Sequence, residues 1–368
     1  MWISALILLP FLIVFGLAAV YAERKVAGFV QDRLGPSEVG KYGLLQTIAD
    51  ILKLIQKEII IPKGVDAFLF RLAPIIVFTS VFAGFAILPL SPMLMGAGLT
   101  TGIFYALAII SLDIVGLLMA GWASNNKYSI LGALRAVAQI ISYEIPIGLV
   151  VLSVVIISQS LDLQTINYQQ GIHIASLIGG ESEKNFLFGI AATGIETTQI
   201  GGFLTWNVFR MPFLWVGFII FFIATLAESN RAPFDIPEAE SELIGGFHTE
   251  YSGMLFAIFM LAEYGMMLLS AFLAAILFFG GWNTPLPNIG NISLATWTSG
   301  APNTIYGEIT GFFWLLCKVF LIIFLQMWVR WTYPRLRADH LFYLCWKVLV
   351  PFSLVLILLS SVWKLWSF

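Results

Sequence analysis

Hydrophobic residues occur along this chain in eight long runs, separated by segments rich in polar and charged residues. A helix needs roughly 20 apolar residues to cross the hydrocarbon core of a membrane, and each run reaches that length. We therefore predict an all-α polytopic membrane protein that forms a single integral membrane domain over residues 1–368. The predicted spans lie at about 2–22, 70–91, 99–121, 130–158, 203–227, 252–281, 308–330 and 341–366.

The composition supports this class and narrows the chemistry. Hydrophobic residues make up 59% of the chain and charged residues 11%, far from the average of soluble globular proteins. The two cysteines, Cys317 and Cys345, lie inside apolar runs, so we expect neither a disulfide framework nor a CxxC motif. The first run lacks a basic leading region and ends in ERK rather than at a small-residue cleavage site, which indicates a retained helix.

The positive charges predict an orientation. Fifteen of the 19 Lys and Arg residues follow the odd-numbered runs, and only Lys184, Arg210, Lys318 and Lys364 lie elsewhere. Loops rich in Lys and Arg remain on the cytoplasmic side of a membrane. We therefore expect the loops after the odd-numbered spans in the cytoplasm and both termini outside.

One polar connection has a helical pattern of its own. In residues 40–57, apolar side chains recur along one helix face, at Leu44, Leu45, Ile48, Ile51, Leu52 and Ile55. The segment is too short and too charged to span, so we predict a helix that lies along the cytoplasmic interface. It could be a surface helix packed on the bundle, could gate a ligand, or could do both.

Two other connections differ in charge. Residues 159–202 are polar, glycine-rich and acidic, and we predict an external loop to which no chemistry can be assigned. Residues 228–250 predict an acidic cytoplasmic loop that carries Asp235, Glu238, Glu240 and Glu242 against a single Arg231. Crowded carboxylates titrate as a coupled set, so we expect some raised pKa values and proton exchange there. Alternatively, Asp235 and Glu238 cap a short helix.

Ionisable groups inside the predicted spans are the clearest functional signal. Each costs about 2.5–3.5 kcal/mol at a helix centre. The candidates are Asp113, Glu144, Glu228, Glu263 and Lys318. Glu144 or Glu263 could simply pair with Lys318, but four acids and one base exceed a single ion pair. The set therefore predicts a proton pathway.

Resident redox cofactors are not indicated. The three histidines, His173, His248 and His340, lie in predicted loops or at helix ends, whereas a transmembrane haem needs axial histidines inside the bundle. An iron–sulfur cluster needs about four cysteines, and no glycine-rich phosphate loop occurs. We expect no cofactor bound by this chain, so that any electron transfer occurs on a partner.

Several segments together resemble one family. They are AERKVAGFVQDRLGP (22–36), GLLQTIADILKLIQKE (43–58), GWASNNKYSILGALRAVAQIISYEIP (121–146), AESNRAPFDIPEAESELIGGFHTEYSG (227–253) and YPRLRADHLFYLCWK (333–347). The chain is similar in these segments to the H subunit of the bacterial proton-pumping NADH:quinone oxidoreductase, respiratory complex I, whose mitochondrial counterpart is subunit 1. The similarity covers all four predicted cytoplasmic loops, and the last two segments are its most specific part.

The resemblance implies a role in a multi-pass complex of the bacterial cytoplasmic membrane. Partners would be other membrane-arm and peripheral-arm subunits, quinone and the lipid bilayer, without nucleic acid; FMN and iron–sulfur clusters would lie on partner subunits. It implies a quinone tunnel entrance formed by Glu23, Arg24, Lys25, Asp50 and Lys53. It places Arg231, Asp235, Glu238, Glu240 and Glu242 beside the quinone cavity, the buried acids in a proton path, and Arg335 and Arg337 at a partner contact.

The chain departs from the family pattern at several positions. Thr47 stands where the family usually has proline, Ala338 and His340 replace an aromatic residue and glutamine, and the loop at 159–202 is long.

The membrane subunit of a related hydrogenase is an alternative function, because it would share the architecture. An independent cation/proton transporter would use the same acids, although such proteins usually break helices at the midplane. A purely structural anchor leaves the buried acids unexplained.

Overall fold

Helices form the regular structure of this protein. The computed structural model describes residues 2–174, 186–190, 194–237, 240–289, 292–302 and 304–367. Within these ranges there is no β-strand, and the antiparallel contacts are isolated bridges. The all-α prediction is therefore confirmed at the level of fold class.

The α-helices are numbered here in chain order. They are α1 Trp2–Val30, α2 Gln46–Gln56, α3 Ala67–Phe85, α4 Gly102–Ile110, α5 Leu112–Ala123, α6 Lys127–Ser158, α7 Leu163–Gln169, α8 Thr197–Ile200, α9 Asn207–Arg210, α10 Leu214–Glu228, α11 Glu240–Leu243, α12 Gly253–Phe278, α13 Leu294–Thr298, α14 Ile305–Thr332, α15 Ala338–Tyr343 and α16 Val350–Ser367. A π-helical segment, Leu344–Leu349, joins α15 to α16.

Six helical units among the described residues are long and apolar enough to cross a membrane. They are α3, α4 with α5, α6, α12, α14, and the stretch from α15 through α16. The first and fifth predicted spans fall on α1 and α10. The structure thus supports a multi-pass membrane protein, while the count of eight spans stays a prediction.

The fifth predicted span is shorter than the sequence indicated. Instead of one helix over 203–227, a 3-10 turn (Gly202–Thr205) and α9 precede a 15-residue α10. Gly201 and Gly202 adopt positive φ, and Pro212 has no N–H to donate to a helical hydrogen bond. At 1.5 Å per residue α10 extends only about 22 Å.

Two further boundaries differ from the prediction. The third span is divided at Ser111 into α4 and α5, so Asp113 lies in the first turn of a new helix. The first helix continues past residue 22 to Val30. It therefore carries Glu23 in helical geometry toward the bundle, where the structure buries this side chain.

The amphipathic segment forms a short 3-10 turn, Lys41–Gly43, followed by α2. Its apolar face is not packed against the bundle: Ile48, Leu52 and Ile55 are about half exposed, whereas Thr47 on another face is buried. An exposed apolar stripe on a charged helix is typical of a helix lying in a membrane interface.

The core is built around α12, the most completely buried of the six units. It packs against α3, α10 and α14, and α6 packs against α5, α10 and α16. Side chains cap several helices: Asp66 accepts from the Phe68 and Leu69 amides, and Asn126 from the Tyr128 amide. These contacts satisfy backbone amides in the first turns of α3 and α6.

The close approach of α6 to the loop at Gly246 is expected to be sensitive to a single methyl group. A Cβ at Gly132 would lie 2.7 Å from the Gly246 Cα. Gly132→Ala should therefore destabilise the protein by about 1–3 kcal/mol through overpacking. Gly148 on the same helix has open space around its Cα, and Gly148→Ala should instead stabilise by about 0.5–1 kcal/mol. The midpoint of thermal inactivation of the assembled protein checks both, and equal midpoints for the two variants would refute the packing argument.

Candidate functional site

A buried ionic cluster connects three parts of the chain near the acid-rich loop. The Glu23 carboxylate on α1 accepts hydrogen bonds from Arg231, at 3.1 Å to Oε2, and from Arg330 at the end of α14. The side chains of Arg231 and Glu23 are both about 6% exposed. Breaking a buried ion pair leaves an uncompensated charge, so these residues hold one another in place.

Tyr264 on α12 completes this cluster. Its hydroxyl donates to the same Glu23 carboxylate, and its ring lies beneath the Arg231 guanidinium, 4.2 Å from the ring centroid. Burial works against the charge of Arg231, but the carboxylate of Glu23 beside it raises the pKa of Arg231 above its ordinary value. Arg231 is therefore a fixed cation.

A small cavity with a largely apolar lining and three acids lies beside this cluster. It has a volume of about 20 Å³ and is lined by three acids, Asp113, Glu228 and Glu263, with Ser229 and Asn230 among its other polar lining residues. A cavity of this size has room for about one water molecule, and the carboxyl groups in its lining can serve as hydrogen-bond partners for it. Asp113 and Glu228 are themselves buried. Water at this position would connect carboxylates from α5, α10 and α12.

His248 links the cavity to the acid-rich loop. Its Nε2 lies 3.3 Å from Oε1 of Glu263, and the rings of Phe247, Phe256 and Phe259 surround it. The imidazole is buried, in the 3-10 turn Gly246–His248 that ends the loop. Histidine side chains often serve as proton shuttles in proteins, and this imidazole is in contact with a carboxylate of the cavity.

Two predicted membrane residues lie outside the cavity lining. Glu144 is half-buried on α6, near enough to Glu228 for their charges to interact. The Ser142 carbonyl, which Pro146 deprives of its helical donor, accepts the Cys345 thiol at 3.0 Å. Lys318 lies away from the acids and donates to backbone carbonyls instead. Within the part of the chain that the structure describes, no ion pair joins Lys318 to Glu144 or Glu263.

The carboxylates of the acid-rich loop are arranged differently from our expectation. Glu242 pairs with Arg135 at 2.6 Å, and this hydrogen bond lowers the pKa of Glu242 rather than raising it. Asp235 pairs with Arg335 at 2.8 Å. The predicted cap by Asp235 and Glu238 stays a prediction, because residues 238 and 239, directly before the helix Glu240–Leu243, lie outside the described residues. Glu238 lies outside the described residues, and the Glu240 side chain is not described.

The predicted tunnel residues fall into two groups. Arg24 forms an ion pair with Asp50 of α2 at 2.6 Å, and Lys25 donates to the Pro36 carbonyl at 2.8 Å. These contacts hold α2 and the 31–36 loop against the end of α1. Glu23, in contrast, points inward to Arg231. Lys53 and the predicted partner-contact residue Arg337 are exposed.

Sequence reasoning did not identify Tyr264, His248 or the pairing of Arg330 with Glu23 as parts of the site. Glu23 lies 208 residues from Arg231 and 307 residues from Arg330, so no periodic pattern relates them. The position of Tyr264 directly after Glu263 was the one local signal. Among the described residues no cluster of three His, Cys, Asp or Glu side chains could hold a metal ion.

Comparison with known proteins gives consistent results. A sequence model described as NADH dehydrogenase matches residues 3–361. The chain is 58% identical over 361 residues to the NADH-quinone oxidoreductase H subunit numbered 2 of Cytophaga hutchinsonii, covering 98% of both chains. It is 49% identical over 362 residues to the NADH-quinone oxidoreductase H subunit of Chlorobaculum parvum, covering 98% of this chain and 91% of the relative. Identity to the corresponding protein of Chlorobium luteolum is 48% over 365 residues, 99% of this chain and 89% of the relative.

Proposed function

This chain belongs to the NADH dehydrogenase family, and from that premise we propose that it is the membrane subunit of a proton-pumping NADH:quinone oxidoreductase. It forms the entrance of the quinone tunnel and an acidic path that couples quinone reduction to proton translocation. The observation that carries this proposal is the cavity at which Asp113, Glu228 and Glu263 meet. Three acids from three helices around a water-sized space provide sites between which a proton can move.

The quinone side of the proposal rests on α1, α2 and the acid-rich loop. The Arg24–Asp50 pair holds α2 against α1, and the exposed apolar face of α2 offers a lipid-soluble molecule a path from the membrane. One residue before Arg24, Glu23 contacts Arg231 of the loop. Quinone reduction near the loop would change the charge around Arg231 and Glu23, and this change would reach Glu263 through its neighbour Tyr264.

His248 extends the proposed path toward the loop. It contacts Glu263 directly, and Glu263 shares the cavity with Asp113 and Glu228. Glu144, whose charge interacts with that of Glu228, continues the path along α6. Protons would pass among these groups as quinone chemistry shifts their relative proton affinities.

The remaining parts of the proposal concern location and partners. The chain would cross the bacterial cytoplasmic membrane with both termini outside, because its Lys and Arg residues cluster in the loops after the odd-numbered spans. Arg335 and Arg337 would face peripheral-arm subunits, which would carry FMN and the iron–sulfur clusters. Quinone would be a substrate at the shared boundary, and this chain would supply no redox centre.

A native gel tests the assignment. The tagged chain, extracted in mild detergent, should co-migrate with a very large particle that oxidises NADH and reduces quinone. A large particle that evolves hydrogen would instead identify a hydrogenase membrane subunit. Recovery as a small inactive particle, while another tagged subunit of the complex still migrates in the large one, would contradict the proposal and favour an independent transporter.

A further inference from the structure

Lys318 makes an unusual set of contacts at the end of α12 that lies away from the acid-rich loop. Its ammonium nitrogen donates to the carbonyl oxygens of Phe279 at 2.7 Å and Gly281 at 2.8 Å, and also to that of Asn283. It also lies 4.3 Å from the centroid of the Trp206 ring. All of its hydrogen-bond partners are backbone acceptors from the turn that follows α12.

These contacts define the charge of Lys318. A protonated ammonium has three N–H donors, whereas a neutral amine has two and would direct its lone pair at the third carbonyl. Three carbonyl acceptors match the three donors of the charged form, and the Trp206 ring face adds a favourable cation–π contact. No carboxylate among the described residues forms an ion pair with Lys318, so this charge is not neutralised by a neighbour.

The position of this charge counteracts an intrinsic weakness of the helix end. The last carbonyls of a helix have no intrahelical donor, and the C-terminus carries a partial negative charge that attracts cations. Two neutral side chains satisfy other carbonyls here: Gln170 donates to Ile276 and Asn207 to Leu277. Lys318 supplies the only full charge found among the donors described at this helix end.

Beyond a second small cavity, lined by Glu228, Ser270 and Leu273 among others, α12 is tightly packed up to this helix end. Glu263 and Phe279 are 16 residues apart, about 24 Å along the helix axis. Within this stretch Leu269, Phe272, Ala275 and Phe278 are fully buried. An apolar barrier with a fixed positive charge behind it opposes proton passage, as in channels where an arginine excludes protons.

We propose that Lys318, held by three backbone carbonyls, is a positive charge that closes the acidic path toward the end of the bundle away from the acid-rich loop. Protons that reach Glu263 and Glu228 then cannot leave along α12 and must move sideways or back toward the loop. This proposal rests on the proposed function of the cavity as a proton path. It assigns Lys318 to preventing a leak rather than to carrying protons.

Passive proton leakage in the assembled complex tests this role. Wild-type, Lys318→Met and Lys318→Arg complexes are reconstituted in proteoliposomes without NADH, and the decay of an imposed pH gradient is followed with a pH-sensitive dye. The Met variant should dissipate the gradient several-fold faster, because it lacks the charge. The Arg variant should hold the gradient as wild type does. Gradients of equal lifetime in all three complexes would overturn the proposal.

Asn207→Leu separates charge from structural support. This variant removes a neutral donor from the same helix end and keeps Lys318, so the pH gradient across its proteoliposomes should decay at the wild-type rate. A leak as fast as that of Lys318→Met would show that Lys318 acts only as a structural cap, and would refute the barrier. If Lys318→Met fails to assemble, Lys318→Gln takes its place. Failure of both, with Asn207→Leu assembled, would show a folding role and also refute the barrier. Because no turnover is involved, equal leak rates would refute the barrier and leave the native-gel assignment unchanged, so the two proposals can fail separately.

Discussion

Glu228→Gln is expected to abolish proton pumping and to slow quinone reduction by about a hundredfold, the lower end of what a positioned proton-transfer group contributes. Glu228 is buried and lines the cavity together with Asp113 and Glu263, so its replacement by an amide removes a proton acceptor from the middle of the path. Glutamine retains the shape and a hydrogen-bonding capacity, which limits damage to packing. Pumping is measured as acidification by inside-out vesicles, and turnover as NADH oxidation with and without an uncoupler.

Glu308→Gln is the matched control for this experiment. Glu308 is also an acid in a membrane-spanning helix, but it lies at the other end of the bundle, where it accepts hydrogen bonds from Ser91 and the Met93 amide. Its replacement should leave pumping nearly unchanged. Wild-type pumping and turnover in an assembled Glu228→Gln complex would rule out Glu228 as a proton carrier.

Arg231→Met is expected to prevent stable assembly, with a loss of about 3–5 kcal/mol, the usual cost of breaking a buried ion pair. The variant leaves the buried Glu23 carboxylate with Arg330 as its remaining guanidinium partner and removes the cation stacked on Tyr264. It thereby disconnects α1 from the acid-rich loop. The yield of assembled complex and the temperature at which quinone reduction is lost are the measurements.

The exposed pair of the same loop provides the comparison. Arg335 and Asp235 are about 35% and 24% exposed in their side chains, so Arg335→Met should cost less than about 1 kcal/mol. If both arginine variants lowered stability equally, burial of the Glu23–Arg231 pair would not be the cause. A double variant, Glu23→Gln with Arg231→Met, should recover part of the stability because it leaves no buried charge unpaired.

Much of the fold could be predicted because membrane helices are encoded locally. Long apolar runs located the six described units that are long and apolar enough to cross a membrane, and the spacing of apolar residues located α2. The errors arose where backbone chemistry interrupts an apolar run. Gly201, Gly202 and Pro212 shorten the fifth helix, and the break at Ser111 divides the third. Hydrophobicity does not report such interruptions, because the side chains on both sides remain apolar.

The sequence by itself determined the class of the protein and its family. It also identified the acids inside the apolar runs, since placing an ionisable group in such a run carries a cost that needs a functional reason. It could not determine which of these groups meet. Only the tertiary structure joined Asp113, Glu228 and Glu263 at one cavity, paired Glu23 with Arg231, and directed Lys318 to backbone carbonyls instead of acids. These pairings depend on distances between helices that lie tens to about two hundred residues apart in sequence, and packing of the whole bundle sets those distances.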